Sequence, residues 1–486
     1  MSPEPPEGYL GATARIRSGP APELVAAGYE LELADAPLLA RGLDLADLAH
    51  VAVLAAIPPV DAAALRAALR ELAATELDVD PRYGDLVNLR ERRLQQRAGT
   101  AAGWLNAGRP RREAGRIAFR IAVRGLLLDL GDAQARLASA LVAAAARERD
   151  TLMPDYTYLQ VAQPTTAGHW LLSFAYPALR DLARTEADLD WVNRSPAGAG
   201  GVNGSRFAVD RDRLAALLGF DGPVEHTRDA MWQTDGFTEA AWHAATAATN
   251  AGRLAEDLEL YGADEFGLLR IGDAFCRASA LMPQKRNPYA LVVIRGAAGT
   301  LLGRATGLLA AQRTASGRTD NLLYAYGELG GALALAARTL ALAAAVTESV
   351  ELDREAAARA VRASFAAAAD VADVISLETG LDYRSAYEVT GRAVAEHGAL
   401  DGPALEAAAL DLLGRRLGLP QAALADALDP AAAIAARTVR GGAAPAPMDA
   451  MLGECRAAIE GARERLAARR TAIAAAEDAL LDGTAG

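Results

Sequence analysis

Residues 279–287 read Ser-Ala-Leu-Met-Pro-Gln-Lys-Arg-Asn, a polar loop between two apolar stretches that repeat at helical spacing. Pro283 and Pro288 punctuate the loop, whereas segments 250–260 and 291–312 place apolar residues three and four positions apart. Within nine residues the loop holds a serine, a lysine and an asparagine, which can accept a proton, neutralise charge and donate hydrogen bonds. A serine in an isolated polar loop has no functional meaning, so the rest of the chain decides the interpretation.

Helical periodicity covers most of the chain. Segments 62–72, 126–146 and 327–350 repeat apolar residues at three and four, with polar residues on the other face, and period-two strand patterns are almost absent. This pattern predicts an all-α fold with a central set of long helices and smaller helical caps. The glycine-rich run 198–204 has no preceding strand and carries Asn203 where a dinucleotide-binding motif needs its third glycine, so we reject a nucleotide site there.

Composition narrows the class of protein. A length of 486 residues predicts two or three domains, and a net charge of -12 argues against a general nucleic-acid binder. Two cysteines and five histidines without zinc-ligand spacing predict neither a disulfide framework nor a metal site. The first residues lack the pattern of a signal peptide, and the apolar stretch 331–346 is short and broken by Arg338. We therefore expect a cytoplasmic protein without a membrane partner.

The loop at 279–287 resembles the signature Gly-Ser-Ser-x-Met-Pro-x-Lys-x-Asn of the fumarase, aspartase and argininosuccinate lyase superfamily, with Ala278 and Ala280 as departures. Further segments, in the same order, resemble the argininosuccinate lyase branch. They are residues 153–172, 195–210, 253–275, 383–394 and 436–445. Because these similarities extend over almost the whole chain, the chain is identified as a member of that branch, diverged at its active site.

The resemblance implies a three-domain architecture. The expected limits are 1–108 for an N-terminal helical domain, 109–362 for the central helical bundle carrying the signature loop, and 363–486 for a C-terminal helical domain. Four bundles would associate through a 20-helix core into a homotetramer, with each active site assembled from three subunits. No cofactor is implied.

The resemblance also implies how the site works. Ser279 would be the base on a mobile loop, with Lys285 and Asn287 stabilising its alkoxide and the substrate carboxylate, and with Met282 in the substrate-binding loop. In the family, the residues matching Thr157 and Gln160 hold substrate carboxylate. We predict the same binding role for these two residues.

Two residues of the family's charge-relay pair are absent together. Tyr158 replaces the histidine between Thr157 and Gln160, and Val292 replaces the glutamate that pairs with it. A buried glutamate without its histidine would be an unpaired charge, so the joint loss fits a redesigned site. Tyr158 is the candidate donor in place of the histidine, and His226 is a reserve candidate, although a surface or core role suits His226 better.

The remaining substrate contacts have changed as well. In the family's His-Thr-Gly-Arg-Ser-Arg-Asn-Asp segment, this chain retains Arg109 and Arg111 but has Arg112 for the asparagine. In a later family segment that grips argininosuccinate, the tyrosine, glutamine and lysine align with Arg318, Leu323 and Tyr326. Arg109, Arg111, Arg112 and Arg318 are therefore candidate substrate-binding residues, and the added arginines predict a more anionic ligand. Arg277 is equally well explained by a structural role.

These observations predict a carbon–nitrogen lyase that releases fumarate from a succinyl-type substrate, or catalyses the reverse addition. The substrate is predicted to be a small anion other than argininosuccinate. Leaving groups of low basicity, such as a hydrazine or a nitrite-like group, would suit a site without the histidine–glutamate pair. Two alternatives stay open, a catalytically retired structural homologue and a genuine argininosuccinate lyase with an unusual general acid.

Overall fold

The computed structural model describes residues 3–13, 15–57, 59–75, 78–207, 209–313 and 323–484. Within these residues the chain is predominantly helical, and the all-α prediction is confirmed. The α-helices are α1 (Pro22–Leu24), α2 (Glu30–Ala34), α3 (Ala36–Leu54), α4 (Ala62–Ala73), α5 (Leu86–Ala98), α6 (Arg111–Arg147), α7 (Ala167–Val192), α8 (Arg211–Leu217), α9 (Thr227–Trp232), α10 (Asp235–Tyr261), α11 (Tyr289–Ala311), α12 (Leu323–Glu348), α13 (Arg354–Arg362), α14 (Ala368–Thr379), α15 (Tyr383–Arg392), α16 (Gly402–Leu413), α17 (Gln421–Leu428), α18 (Pro430–Ala435) and α19 (Pro445–Asp482).

In the described ranges, six short strands form three two-stranded antiparallel ladders, which the sequence patterns did not predict. They are β1 (Leu152–Thr157) with β2 (Gln160–Thr166), β3 (Leu269–Arg270) with β6 (Glu351–Leu352), and β4 (Arg277–Ala278) with β5 (Arg286–Asn287). Two of these ladders frame segments that the sequence marked as functional, the tyrosine-bearing segment and the signature loop.

The central bundle consists of α6, α7, α10, α11 and α12. α6 packs along α7 and α12, while α10 packs along α11 and α12. Large aliphatic side chains such as Leu127 and Leu333 are fully buried between them, alongside alanines such as Ala138 and Ala336. Small side chains let the helix axes approach closely, so the alanine-rich composition is used for dense packing in the core.

Two of the smaller hydrophobic cores in the described part of the chain flank the bundle. One joins α3, α4 and α8 to the first half of α6, and the other is formed within residues 371–427. The last helix, α19, packs back on α6 and α7, with Met448 and Leu466 buried in the bundle core. The domain limits at 108/109 and 362/363 stay predictions.

α12 is long and apolar enough to cross a membrane by length and hydropathy, the one such helix in the described part of the chain. More than half of its most apolar window is buried inside the protein. The helix packs against α6, α10 and α11, as a core helix of the bundle does.

The bundle has two ends with different functional segments. At the arginine end, α6 begins with Arg111, and Arg116 contacts Tyr326 in the first turn of α12. At the loop end, Glu148 follows α6 and accepts a hydrogen bond from Thr151, which precedes β1. The signature loop follows β3, which pairs with β6 just after α12, so it lies at the loop end too. Because α6 has 37 residues, the two ends are ~55 Å apart.

Candidate active site

The signature loop is a hairpin closed by β4 and β5, with Ala278 opposite Arg286. Inside it the Ser279 hydroxyl oxygen accepts hydrogen bonds from the amides of Met282, at 2.9 Å, and Leu281, at 3.2 Å. The Lys285 amide donates to the Met282 carbonyl at 3.1 Å, which tightens the turn. The hairpin therefore brings Ser279, Met282 and Lys285 into one compact loop.

The electrostatics at Ser279 suit a base. Two N–H groups that point at the hydroxyl oxygen favour the alkoxide over the alcohol, because hydrogen bonds to the charged form lower its free energy. The Lys285 side chain is exposed, whereas the Asn287 amide donates to the carbonyl of Arg277 at 3.1 Å. Asn287 thus stabilises the stem of the hairpin in this chain.

The stem has further supports. The Arg277 guanidinium lies 4.6 Å from the ring centroid of Tyr289, a cation–π contact at the start of α11. Arg286 pairs with Asp273 at 2.7 Å and donates to the carbonyl of Ile271. These contacts anchor both strands of the stem, while Leu281 at the tip is largely exposed.

The second candidate segment is the tip of the β1–β2 hairpin. Thr157 pairs with Gln160, which leaves Tyr158 and Leu159 as a two-residue turn with φ of 55° and 57°. Positive φ at both central positions is the geometry of a type I′ turn, which usually requires glycine or asparagine. A tyrosine and a leucine in this conformation are strained, and such strain is concentrated at functional sites.

The Tyr158 side chain is 99% exposed and projects away from its own chain. The base of the hairpin is anchored, since the Tyr156 ring lies 5.6 Å from that of Tyr261 and 5.5 Å from that of Phe266. Val292, which stands at the position of the family's glutamate, is also more than half exposed. Tyr158 and Val292 are therefore accessible to another molecule at the loop end.

At the arginine end, the structure pairs Arg109, Arg111 and Arg112 with carboxylates of the same chain. Arg109 is buried and donates to the carbonyl of Ala46 at 2.9 Å and to the Asp47 carboxylate at 2.5 Å. Arg90 pairs with the same Asp47 at 2.9 Å. Arg109 is therefore built into the contact between α3 and the segment before α6.

Arg111 and Arg112 lie at a small cavity next to the start of α6. Arg111 pairs with Asp85 at 3.3 Å, and Arg112 pairs with Glu32 at 3.1 Å. The cavity is lined by Glu32, Asp35, Leu39, Leu43, Asp85, Leu86, Val87, Arg111, Arg112, Gly115, Leu323 and Tyr326. The candidate Arg318 lies outside the described residues.

The carboxylates at this cavity were not predicted from the sequence. Burial raises the pKa of Glu32, an effect that the neighbouring Arg112 opposes. Burial also raises the pKa of Asp35, whose carboxylate accepts a hydrogen bond from the Gly327 amide at 3.1 Å. No sequence pattern marked Glu32 or Asp35, because they precede the motif by some 80 residues and meet it only in the fold.

Glu113, in the first turn of α6, is another buried carboxylate that sequence reasoning missed. It is buried and accepts the amides of Gly198 at 2.7 Å and Gly200 at 2.6 Å. Burial raises the pKa of Glu113 to about 7, against the opposing effects of these amides and of Arg109. The family's arginine segment ends in an aspartate, and the acidic residue at that position in this chain, Glu113, was the sequence signal that could have identified it. Glu113 couples the arginine segment to the glycine-rich loop.

Two of the histidines, His169 and His226, have structural contacts. His226 caps α9, accepting the amides of Arg228 at 3.2 Å and Asp229 at 3.4 Å. His169 bridges Thr165 and the carbonyl of Gly441. Throughout the described ranges no group of three or more His, Cys, Asp or Glu side chains is arranged to hold a metal ion.

The candidate residues fall into three separate groups in one chain. Ser279, Met282, Lys285 and Asn287 share the signature hairpin, and Thr157, Tyr158 and Gln160 share the exposed turn at the same end. Arg111 and Arg112 lie at the arginine end, ~55 Å away along α6. A single copy of the chain cannot bring the arginines to the serine.

Comparisons with known proteins agree with the sequence motifs. Residues 39–303 match the sequence model of the Lyase family. The chain is 32% identical to the argininosuccinate lyase of Methanothrix thermoacetophila over 90% of this chain and 92% of that protein. It is 35% identical to the argininosuccinate lyase of Halobacterium salinarum, over 86% and 87%.

Among solved structures, EDDS lyase in complex with formate superimposes with a TM-score of 0.84 and 26% identity, covering 98% of this chain and 97% of that one. A class II fumarase from Schistosoma mansoni, at 15% identity and a TM-score of 0.66, covers 81% and 90% and shares the fold. The chain therefore belongs to the argininosuccinate lyase branch of the fumarase/aspartase superfamily and is a carbon–nitrogen lyase.

Proposed function

We propose that this protein catalyses β-elimination of a C–N or other C–heteroatom bond in a succinyl-type substrate, releasing fumarate, or the reverse addition. We propose further that its substrate is not argininosuccinate. The observation that carries the proposal is the Ser279 hydroxyl, held by two backbone amides inside the signature hairpin. Such a hydroxyl can remove the proton beside a carboxylate, which is the step that this family's elimination requires.

The proton from carbon passes to the Ser279 alkoxide, which becomes the neutral hydroxyl; the loop amides stabilise this alkoxide beforehand, and Lys285 supplies nearby positive charge. Negative charge then grows on the substrate carboxylate, where the donors of Thr157, Gln160 and Asn287 are proposed to act. As the C–N bond breaks, its electron pair leaves with the nitrogen. Tyr158 is proposed to donate a hydrogen bond in the space that the family's histidine would occupy.

The proposed site requires more than one subunit. The arginine end of one bundle lies ~55 Å from its own loop end, whereas antiparallel packing of two bundles would bring opposite ends together. The exposed face of α11 carries Val292, Val293, Leu302 and Leu309, an apolar stripe suited to such a contact. We propose the homotetramer of the family as the active assembly. We propose no nucleic-acid or membrane partner, and we propose a cytoplasmic location.

Argininosuccinate lyase activity is the main competing function, because the relatives above carry that name. The contacts at the arginine end argue against it. Two of the three family residues that grip argininosuccinate, the glutamine and the lysine, are replaced by Leu323 and Tyr326, and the Tyr326 hydroxyl is already bonded to Arg116 at 3.1 Å. A guanidinium-bearing amino acid would therefore not find the family's glutamine and lysine at these positions.

The test is fumarate release from argininosuccinate, aspartate, hydrazinosuccinate, nitrosuccinate and adenylosuccinate, run beside Ser279→Ala. Release from one compound that falls at least ~10²-fold in the variant is expected, since base catalysis contributes about 10²–10⁴. Circular dichroism and gel filtration should show the same fold and assembly for both proteins. Undiminished release by Ser279→Ala would refute the assignment of the base, and silence across the panel would favour the retired homologue.

A further inference from the structure

The small cavity at the arginine end is a partly open recess with only about 40 Å³ of free volume. A buried water needs about 10–15 Å³ by this measure, so the cavity holds roughly three water-sized groups. Arginine, with a guanidinium, three methylenes and an amino-acid head, far exceeds that space. The space at the start of α6 and α12 therefore sets a limit on the leaving group.

The wall formed by Tyr326 is rigid. Its ring centroid lies 4.3 Å from that of Phe119, and its hydroxyl accepts a hydrogen bond from the Arg116 guanidinium at 3.1 Å. Arg116 is itself buried and donates to the carbonyl of Met231 at 3.2 Å. Because the ring is held on its face and at its hydroxyl, the cavity cannot enlarge by a simple rotation of Tyr326.

The charges at the cavity favour a cationic or N–H-bearing group. The described lining residues include three carboxylates, Glu32, Asp35 and Asp85, and two guanidinium groups, Arg111 and Arg112, which leaves a formal excess of one negative charge. Both arginines are paired with carboxylates, Arg111 with Asp85 and Arg112 with Glu32. The net charge of the cavity therefore suits a cationic group at this end of the substrate, whereas the added arginines in the sequence predicted a more anionic ligand.

Asp35 provides the acceptor in this arrangement. One of its oxygens accepts the Gly327 amide at 3.1 Å, and no side-chain cation in the described part of the chain pairs with it. A carboxylate left with spare acceptor capacity in a half-buried cavity calls for N–H donors. An anionic leaving group such as nitrite would meet repulsion from the same carboxylate.

We propose that this cavity takes a small amine as the leaving group, bound in the substrate in its ammonium form, so that the substrates are aspartate-type compounds whose nitrogen carries little more than a methyl or amino substituent. The inference rests on the proposed function and specifies its substrate class. Asp35 and Glu32 hold the ammonium, while Tyr326 and Leu323 exclude larger substituents.

The chemistry balances without a general acid. Ser279 takes the proton from carbon, the electrons of that C–H bond form the new C=C bond, and the C–N electron pair leaves with the nitrogen. An alkyl ammonium in the substrate leaves as a neutral amine with the protons it already has. Aliphatic amines have pKa values of about 8–10 and are protonated at neutral pH. The joint replacement of the family's histidine and glutamate by Tyr158 and Val292 is then tolerated.

The experiment measures kcat/KM for fumarate formation from aspartate, N-methylaspartate, hydrazinosuccinate, N-benzylaspartate, argininosuccinate and nitrosuccinate. The small ammonium substrates are expected to exceed the bulky ones and nitrosuccinate by about 100-fold or more, since a single methylene misfit already discriminates about 10–200-fold. Equal or greater efficiency with N-benzylaspartate, argininosuccinate or nitrosuccinate would overturn the inference and leave the lyase assignment intact. No fumarate from any compound would overturn both.

Substitutions at the cavity test which residues cause the preference for small leaving groups. Tyr326→Ala should reduce the preference for small leaving groups at least tenfold, whereas Tyr324→Ala, on the same helix and 60% exposed, should leave it unchanged. Asp35→Asn can still accept the Gly327 amide, so it should fold, and it should lower kcat/KM about tenfold for ammonium substrates only. An unchanged substrate profile in a folded Asp35→Asn variant would refute the role of this cavity even if Tyr326→Ala failed to fold.

Discussion

Replacing Glu113 with glutamine should make the stability of the protein less dependent on pH. Glu113 is buried at the start of α6 and is bonded to two glycine amides of the loop at 198–204. Its ordinary pKa of 4.5 is raised to about 7 by burial. The folded state therefore binds this proton more tightly than the unfolded state, and the stabilisation that results is complete below 4.5 and is lost as the pH rises through about 7.

The magnitude follows from the two pKa values. The difference between about 7 and 4.5 corresponds to about 3 kcal/mol, because each pKa unit is worth about 1.36 kcal/mol. Glutamine has the same shape but does not titrate, so the wild type should lose about 3 kcal/mol relative to Glu113→Gln between pH 4.5 and pH 8. If the 486 residues unfold as one unit with about 2 cal/mol/K of entropy per residue, this equals roughly 3 °C in Tm.

The assay is differential scanning fluorimetry of both proteins at matched concentration from pH 4.5 to 8. The quantity compared is the difference in Tm between wild type and variant at each pH. Glu355→Gln, at a carboxylate that is 91% exposed on α13, is the matched control and should show no such trend. A wild-type-minus-variant difference that stays constant across this range, or that grows with pH, would refute the reasoning.

Two other substitutions separate structural from functional roles. Tyr158→Phe should lower kcat/KM about tenfold, the value of one hydrogen bond, and a loss of 10³ or more in steady-state assays would instead identify the phenol as a general acid. Arg109→Met should lower the free energy of unfolding by about 3–5 kcal/mol, because it leaves the buried Asp47 with one partner fewer, as urea denaturation would show. A folded, fully stable Arg109→Met variant with only a raised KM would point to substrate binding instead.

Much of the fold could be predicted from local pattern. Spacing of apolar residues predicted the long helices, because a buried helical face demands apolar side chains at intervals of three and four. The short ladders β1–β2 and β4–β5 were missed, because strands of two to seven residues leave too little alternation to recognise. The left-handed turn at Tyr158 and Leu159 was missed for a related reason, since neither residue is typical of positive φ.

The sequence by itself determined the family and predicted the reacting groups, because the spacing from Ser279 to Asn287 is local and a loop of nine residues carries its own chemistry. Only the tertiary structure decided what the arginines do. Arg109 is bound to Asp47, 62 positions earlier in the chain, and Arg112 to Glu32, 80 positions earlier. Charges are neutralised by neighbours in space rather than in sequence, so the acidic character of the cavity and its limited volume emerged only when the N-terminal segment was packed against α6 and α12.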